Sequence, residues 1–237
     1  MDFFAQGRLS DSPYVESVWQ GGAEKDTSLM CPADGRWTLH VAKTHKVVHM
    51  SIGGPTTKAV PLTHFEGVEW LAIKFKLGVF LRGLSARTLL DEEASLSPAS
   101  KSYFWLGGSR WQFPDYENAD TFVDWLARAQ VLLYDPIVSA VVEDRPSKMP
   151  IRTLRYRFLR STGLSISNIR QIERARYATA LLQEGMTILD VVEQAGYADQ
   201  AHLTRSLKRI MGQTPALMRA MSKPESVPHP YAALLAD

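Results

Sequence analysis

The sequence predicts an α+β chain, with an antiparallel β-rich sandwich or small barrel first and an all-α domain after it. Three observations carry this. Apolar residues recur with period two from Arg36 to Leu77, and the recurrence becomes helical from near Asp115. The charge is also split. The formal net charge is +2, but Pro136–Met221 holds 13 Lys+Arg against 7 Asp+Glu, and the remainder holds 14 against 18. A length of 237 residues favours two modest domains, each able to bury a core. The expected boundaries are 1–114 for the β-rich domain, 115–221 for the helical domain and 222–237 for a loosely held tail rich in proline.

In chain order, WTLHVA puts Trp37, Leu39 and Val41 on one strand face, and VVHMSI does the same with Val48, Met50 and Ile52. In WLAIKFKL, Leu71, Ile73, Phe75 and Leu77 alternate with Lys74 and Lys76. Clusters such as GGPTTK punctuate these strands. GLSARTLLDEEA reads as a short helix capped at Ser85. In ENADTFVDWLARAQVLLYDP, Phe122, Trp125, Leu126, Ala129, Leu132 and Leu133 have helical spacing that stops at Pro136.

Two later segments each read as helix, turn, helix. In the second, Thr187 caps a helix whose Ile188, Val191, Val192 and Ala195 share a face, and Gly196 breaks it. The next helix, from about Asp199, has Leu203, Leu207 and Ile210 on its inner side. Its far side then carries Ala201, Arg205 and Lys208, flanked by Gln200, His202, Thr204 and Arg209. In the first segment, DPIVSAVVEDRPSK supplies helix and turn, and PIRTLRYRFLRSTG supplies a helix with Leu154 and Phe158 inward and Arg152, Arg155 and Tyr156 outward. Gly163 and Gly196 read as helix terminators. Between the segments, LSISNIRQIERARYATALLQEG reads as one helix capped by Ser165 or Ser167. Some twenty residues at about 1.5 Å each make a rod of roughly 30 Å, close to the ~34 Å advance of one DNA turn.

From about Asp135 to Arg219 the chain resembles the AraC/XylS family of bacterial transcription regulators. The resemblance rests on RTLRYRFLRSTGLS, on RQIERARYATALLQEGMTILDVVEQAGYADQAHLTRSLKR and on GQTPALMR. It implies a seven-helix domain with two helix-turn-helix motifs, whose recognition helices here span about 151–161 and 199–210. Base-facing sites then fall on Arg152, Arg155 and Tyr156 in the first, and on Gln200, Ala201, His202 and Arg205 in the second. The planar fork of an arginine suits O6 and N7 of guanine, and a glutamine suits adenine, which favours Arg155, Arg205 and Gln200 as base readers. Arg160, Thr204, Lys208 and Arg209 are better placed as phosphate anchors. Pro150 departs from the family pattern, which commonly has a serine cap there.

PYVESVWQ and PADGRWTLHV also resemble the small β-rich domain of one subgroup of these regulators. In the wider family such domains are often cupin-like and bind a small effector or mediate dimerisation. Trp105, Trp111 and Phe113 are the candidates for lining an apolar pocket or a subunit interface. His40 and His49 would oppose each other across a hairpin of residues 41–48, but a metal site would need a third and fourth ligand in range, and the spacing does not match the usual cupin His-x-His arrangement. Cys31 is the only cysteine and has no activating basic cluster nearby.

These readings converge on a sequence-specific DNA-binding transcription regulator that inserts two helices into successive major grooves and is modulated through its first domain. No catalytic residue, cofactor or metal is expected. Double-stranded DNA is the expected partner, with RNA polymerase, a small-molecule effector and a second copy of the chain as further candidates. No membrane-length apolar run and no leader pattern is visible, which suits a cytoplasmic protein. The competing reading is a small-molecule sensor or enzyme with chemistry in the β domain and vestigial DNA binding.

Overall fold

The computed structural model describes residues 3–143, 145 and 147–220; the expected tail, 222–237, lies outside them. Thirteen strands and seven helices are described. The strands are β1 (Phe3–Leu9), β2 (Val15–Ala23), β3 (Thr27–Cys31), β4 (Thr38–Lys43), β5 (Val48–Gly53), β6 (Val60–His64), β7 (Glu69–Phe75), β8 (Val79–Leu81), β9 (Glu93–Ser95), β10 (Pro98–Ser100), β11 (Tyr103–Leu106), β12 (Ser109–Gln112) and β13 (Leu132–Tyr134). The helices are α1 (Ala119–Arg128), α2 (Pro136–Val142), α3 (Ile151–Thr162), α4 (Ile166–Gln183), α5 (Ile188–Gln194), α6 (Gln200–Ile210) and α7 (Pro215–Ala220).

A six-stranded sheet ordered β1-β2-β7-β4-β5-β9 is the frame of the first half, and every pairing in it is antiparallel. Smaller sheets join β10-β11-β12, β13-β8 and β3-β6. The period-two pattern does what it predicts: Trp37, Leu39, Ile52, Ile73 and Phe75 are completely buried.

Four expectations are corrected. Residues after Ser85 make one turn, closed by the amide of Leu89 on the Ser85 carbonyl, and then Asp91 takes φ +59, which no helix continues. The helix expected to run to Pro136 ends at Arg128; Gln130 has φ +59, and Leu132–Tyr134 pairs with β8 instead. A run of leucines fits either element, and the free edge of β8 takes it as strand. The β4–β5 register pairs His40 with Ser51 and His49 with Ala42, so the two histidines are not opposed. Finally, α1 buries Ala119, Phe122, Val123, Leu126 and Ala127 in the core of the β-rich domain. That core extends through Leu132, so packing divides the chain near Asp135 rather than at 114.

The second core is built by the six helices α2–α7, together with Ala33 and Leu77 from the first half. The two halves are therefore fused along an interface. Gly35 sits there because a β-carbon would overlap the Ile169 side chain on α4.

Candidate nucleic-acid interface

Of the two segments expected to form helix-turn-helix units, the second, α5–α6, is the more regular. Thr187 caps α5 by accepting from the Asp190 amide, and Gly196 breaks the chain with φ +67. Asp199 caps α6 by accepting from the His202 amide at 2.6 Å. Leu203, Leu207 and Ile210 are at most 2% exposed, and burying each contributes about 1.5–3 kcal/mol. That fixes the rotation of α6 about its axis. Gln200, Ala201, Arg205, Lys208 and Arg209 are consequently exposed.

Two other expected contacts on α6 have structural duties. The His202 ring lies edge-on to Tyr197, 5.1 Å between centroids, and its Nδ1 accepts from the Ala198 amide. Its Nε2 is left as the edge available to a partner. The Thr204 hydroxyl donates to the Gln200 carbonyl at 2.8 Å, so its proton is committed to the helix unless the rotamer turns.

The first segment, α2–α3, is built differently. Ser165 caps α4, and Asp135 caps α2, but Pro150 gives α3 no side-chain cap. Leu154 and Phe158 point inward as expected. The outward face mixes Arg152 and Arg155 with Ile151, Tyr156 and Leu159, which are 58%, 64% and 49% exposed. Arg160, expected to anchor a phosphate, lies with its guanidinium carbon 4.9 Å from the Phe80 ring centroid. Among the described residues no carboxylate pairs with Arg152, Arg155, Arg205, Lys208 or Arg209. Arg157, Arg174 and Arg176, by contrast, are turned inward. Arg157 makes a bidentate pair with Asp135 at 2.6 and 2.7 Å, and Arg176 reaches Glu16 at 3.3 Å. Arg174 lies over the Tyr197 ring at 4.9 Å and donates to the Gly196 carbonyl, tying the spacer α4 to the turn of the second motif.

The β-rich domain grips all three of α3, α4 and α6. The Trp37 indole donates to the Ser161 carbonyl at the end of α3 at 2.8 Å. The amides of Ala33 and Ala59 donate to the carbonyls of Ile210 and Arg209 at the end of α6, at 2.7 and 2.8 Å. Between these anchors lies a buried ionic cluster. Arg36 meets Glu16 at 3.0 Å, Asp34 at 3.0 Å and Glu173 at 2.8 Å, and Lys74 meets Asp34 at 2.6 Å. Burial alone would raise the Asp34 carboxyl; the charges of Lys74, Arg36 and Arg176 overcome it and hold Asp34 far below the usual carboxylate range. Burial opposes the charge on Arg36 in the same way, and Glu16, Glu173 and Asp34 more than restore it. Sequence reading missed this cluster, although PYVESVWQ and PADGRWTLHV contain Glu16, Asp34 and Arg36.

In the β-rich domain, Phe113 lines an open cavity of about 520 Å³ with Trp70, Lys43 and Lys101. Trp105 and Trp111 do not line it. Trp105 is half exposed, and Trp111 donates its indole N–H to the Leu106 carbonyl and packs edge-on to Phe122. His40 lies 3.7 Å from Glu93; its ring, with Ser51 and His49 nearby, outweighs burial and holds that carboxyl at about 2. Among the described residues no group of three His, Cys, Asp or Glu could hold a metal ion, and no helix is long and apolar enough to cross a membrane.

Residues 147–221 match the family described as a helix-turn-helix domain. Over 92 residues the chain is 36% identical to the HTH-type transcriptional regulator RipA of Corynebacterium glutamicum. The chain carries an AraC/XylS-type helix-turn-helix domain. The match to RipA covers 38% of this chain and 28% of the relative, so it speaks for the AraC/XylS-type domain and not for the β-rich one. Solved structures of ToxT from Vibrio cholerae are similar in arrangement. One is 14% identical with a TM-score of 0.42, covering 93% of this chain and 99% of ToxT. Another, bound to an unsaturated fatty acid, is 12% identical with a TM-score of 0.44, covering 95% and 98%. Likeness at that distance transfers neither a ligand nor a residue role to this chain.

Proposed function

We propose that this chain is a sequence-specific DNA-binding transcription regulator whose α6 and α3 enter successive major grooves, with its β-rich domain setting how they are presented. The observation that carries the reading is the α6 face. A helix rotated by three buried residues presents Gln200, Arg205 and Lys208 outward with no carboxylate among the described residues to satisfy them, inside a helix-turn-helix domain shared with a transcription regulator. Such a face leaves its donors for a partner rich in acceptors, and base edges and phosphates are that partner. Arg205 and Gln200 read bases, Arg155 and Arg152 do so from α3, and Lys208 and Arg209 hold phosphates.

The spacer supports the two-groove arrangement. The 18 residues of α4 make a rod of roughly 27 Å, of the order of one DNA turn. Modulation through the first domain is supported by the interface, because a ligand or partner that moved the β-rich domain would pull on α3, α4 and α6 together. The cavity beside Phe113 is the seat we assign to a small effector.

A mobility-shift titration on a fragment selected from genomic DNA tests the core reading. Arg205→Ala is expected to cost about 1–3 kcal/mol and to relax preference at one base pair. Equal binding by wild type and variant would remove Arg205 from the readout. Hydroxyl-radical footprinting tests the two-groove geometry: two protected patches about one turn apart on one face are expected, and a single patch would overturn it.

A further inference from the structure

The outward face of α3 has the β-rich domain as its neighbour. The segment from Phe80 to Ala86 and the side chains of Tyr156, Leu159 and Arg160 form the two walls of a cleft of about 450 Å³. Arg82 lies on the β-domain wall. The segment is held firmly. The Arg82 amide donates to Val131 at 2.8 Å, the Leu89 amide donates to Ser85, and Ala86 is 2% exposed. Its main chain abuts the end of α3. A β-carbon on Gly163 would stand 2.6 Å from the Ala86 carbonyl oxygen and 3.1 Å from the Arg87 amide nitrogen.

Arg82 and Arg87 are both exposed, and among the described residues neither has a carboxylate partner. Of the acids that follow them, Asp91 is engaged with the amide and hydroxyl of Thr57 and Glu93 with His40, while Glu92 is exposed and pairs with neither arginine. Arg160, the residue of α3 best placed to hold a phosphate beside this wall, is instead laid over Phe80.

We propose that the β-rich domain contributes directly to the DNA surface, with Arg82 and Arg87 gripping the phosphate backbone of the strand that flanks the groove occupied by α3. The proposal rests on the DNA-binding reading above. Two guanidinium groups carried on a segment already fixed by main-chain hydrogen bonds bind a polyanion with little further ordering of the chain. A duplex entered by α3 runs its backbone past the edge of that helix, where the segment lies. The contacts are to phosphate, so they add affinity and register without adding sequence preference.

The test uses the full chain and measures the dissociation constant against salt concentration on a selected fragment and on mixed-sequence DNA. Arg82→Ala and Arg87→Ala are each expected to lower the slope of log K against log salt by about 0.9, leaving the preferred sequence unchanged. Arg82→Lys and Arg87→Lys should keep the wild-type slope. Lys46→Ala, at the hairpin tip between β4 and β5, is the control and should leave it unchanged. A wild-type slope in both alanine variants, or a change in preferred sequence, overturns the proposal. Failure of the wild type to bind any DNA overturns the DNA-binding reading itself and is recognisable as such.

Discussion

The helix pairs α2–α3 and α5–α6 share a layout but not a construction. In the second, α6 has a side-chain cap, a fully apolar inner face and a polar outer face, so its conformation is dictated from within the motif. In the first, α3 lacks a side-chain cap, carries exposed Ile151, Tyr156 and Leu159, and ends against the β-rich domain through Trp37, Phe80 and Ala86. The difference teaches a division of labour. The second pair is set mainly by its own cap and buried face, whereas the first leans on the β-rich domain.

The largest expected effect breaks the interface that positions both. Arg36→Met leaves Glu16, Asp34 and Glu173 facing one another in a buried site with only Lys74 and Arg176 to compensate. It is expected to lower stability by about 3–5 kcal/mol in denaturant unfolding. A loss under 1 kcal/mol would mean the cluster is not closed in solution. The same cluster gives a pH prediction. The folded state holds the Asp34 carboxyl below its unfolded value of about 3.9. Its contribution is therefore complete above that pH and is lost as pH falls from about 4 downward. Acid titration of thermal stability should show that loss, and Asp34→Asn should flatten it.

A subtler comparison sets one glycine against the other. Gly163 and Gly196 both have φ +67, yet an added β-carbon would meet the Ala86 and Arg87 main chain at Gly163 and nothing within 4 Å at Gly196. Gly196→Ala is expected to cost about 1 kcal/mol of left-handed strain, and Gly163→Ala clearly more, because backbone must shift. Equal losses would show that α3 does not rest on the β-rich domain. The smallest effects concern the caps. Asp199→Ala should destabilise by about 1 kcal/mol. Pro150→Ser, whose backbone already has the extended ψ of 139° that a capping serine needs, should gain a few tenths of a kcal/mol in thermal unfolding.

The sequence was most legible where a local pattern decides the structure. Thr187, Gly196, Leu203, Leu207 and Ile210 could be placed on their elements before any coordinates, as could the alternation through Leu39, Ile52 and Ile73, because period and capping are written within a few residues. Legibility failed where the deciding partner is distant in the chain. Leu132–Tyr134 is a strand because β8 offers an edge more than fifty residues earlier. The His40 register depends on a turn held by Thr44 and Val47. Arg36 meets Glu173 across 137 positions, and no periodicity announces such a pair. Within the candidate site, helix rotation could be read ahead, whereas the engagement of Arg160 by Phe80 and of the Thr204 hydroxyl by its own helix could not.

The end of α6 is fastened to the β-rich domain by the amides of Ala33 and Ala59, main chain to main chain. Such a fastening is indifferent to side-chain identity. On the proposed reading, Gln200, Arg205 or Lys208 can be rewritten to follow a drifting operator while the mount that aims the helix stays untouched, which leaves new target sites within reach of single codon changes.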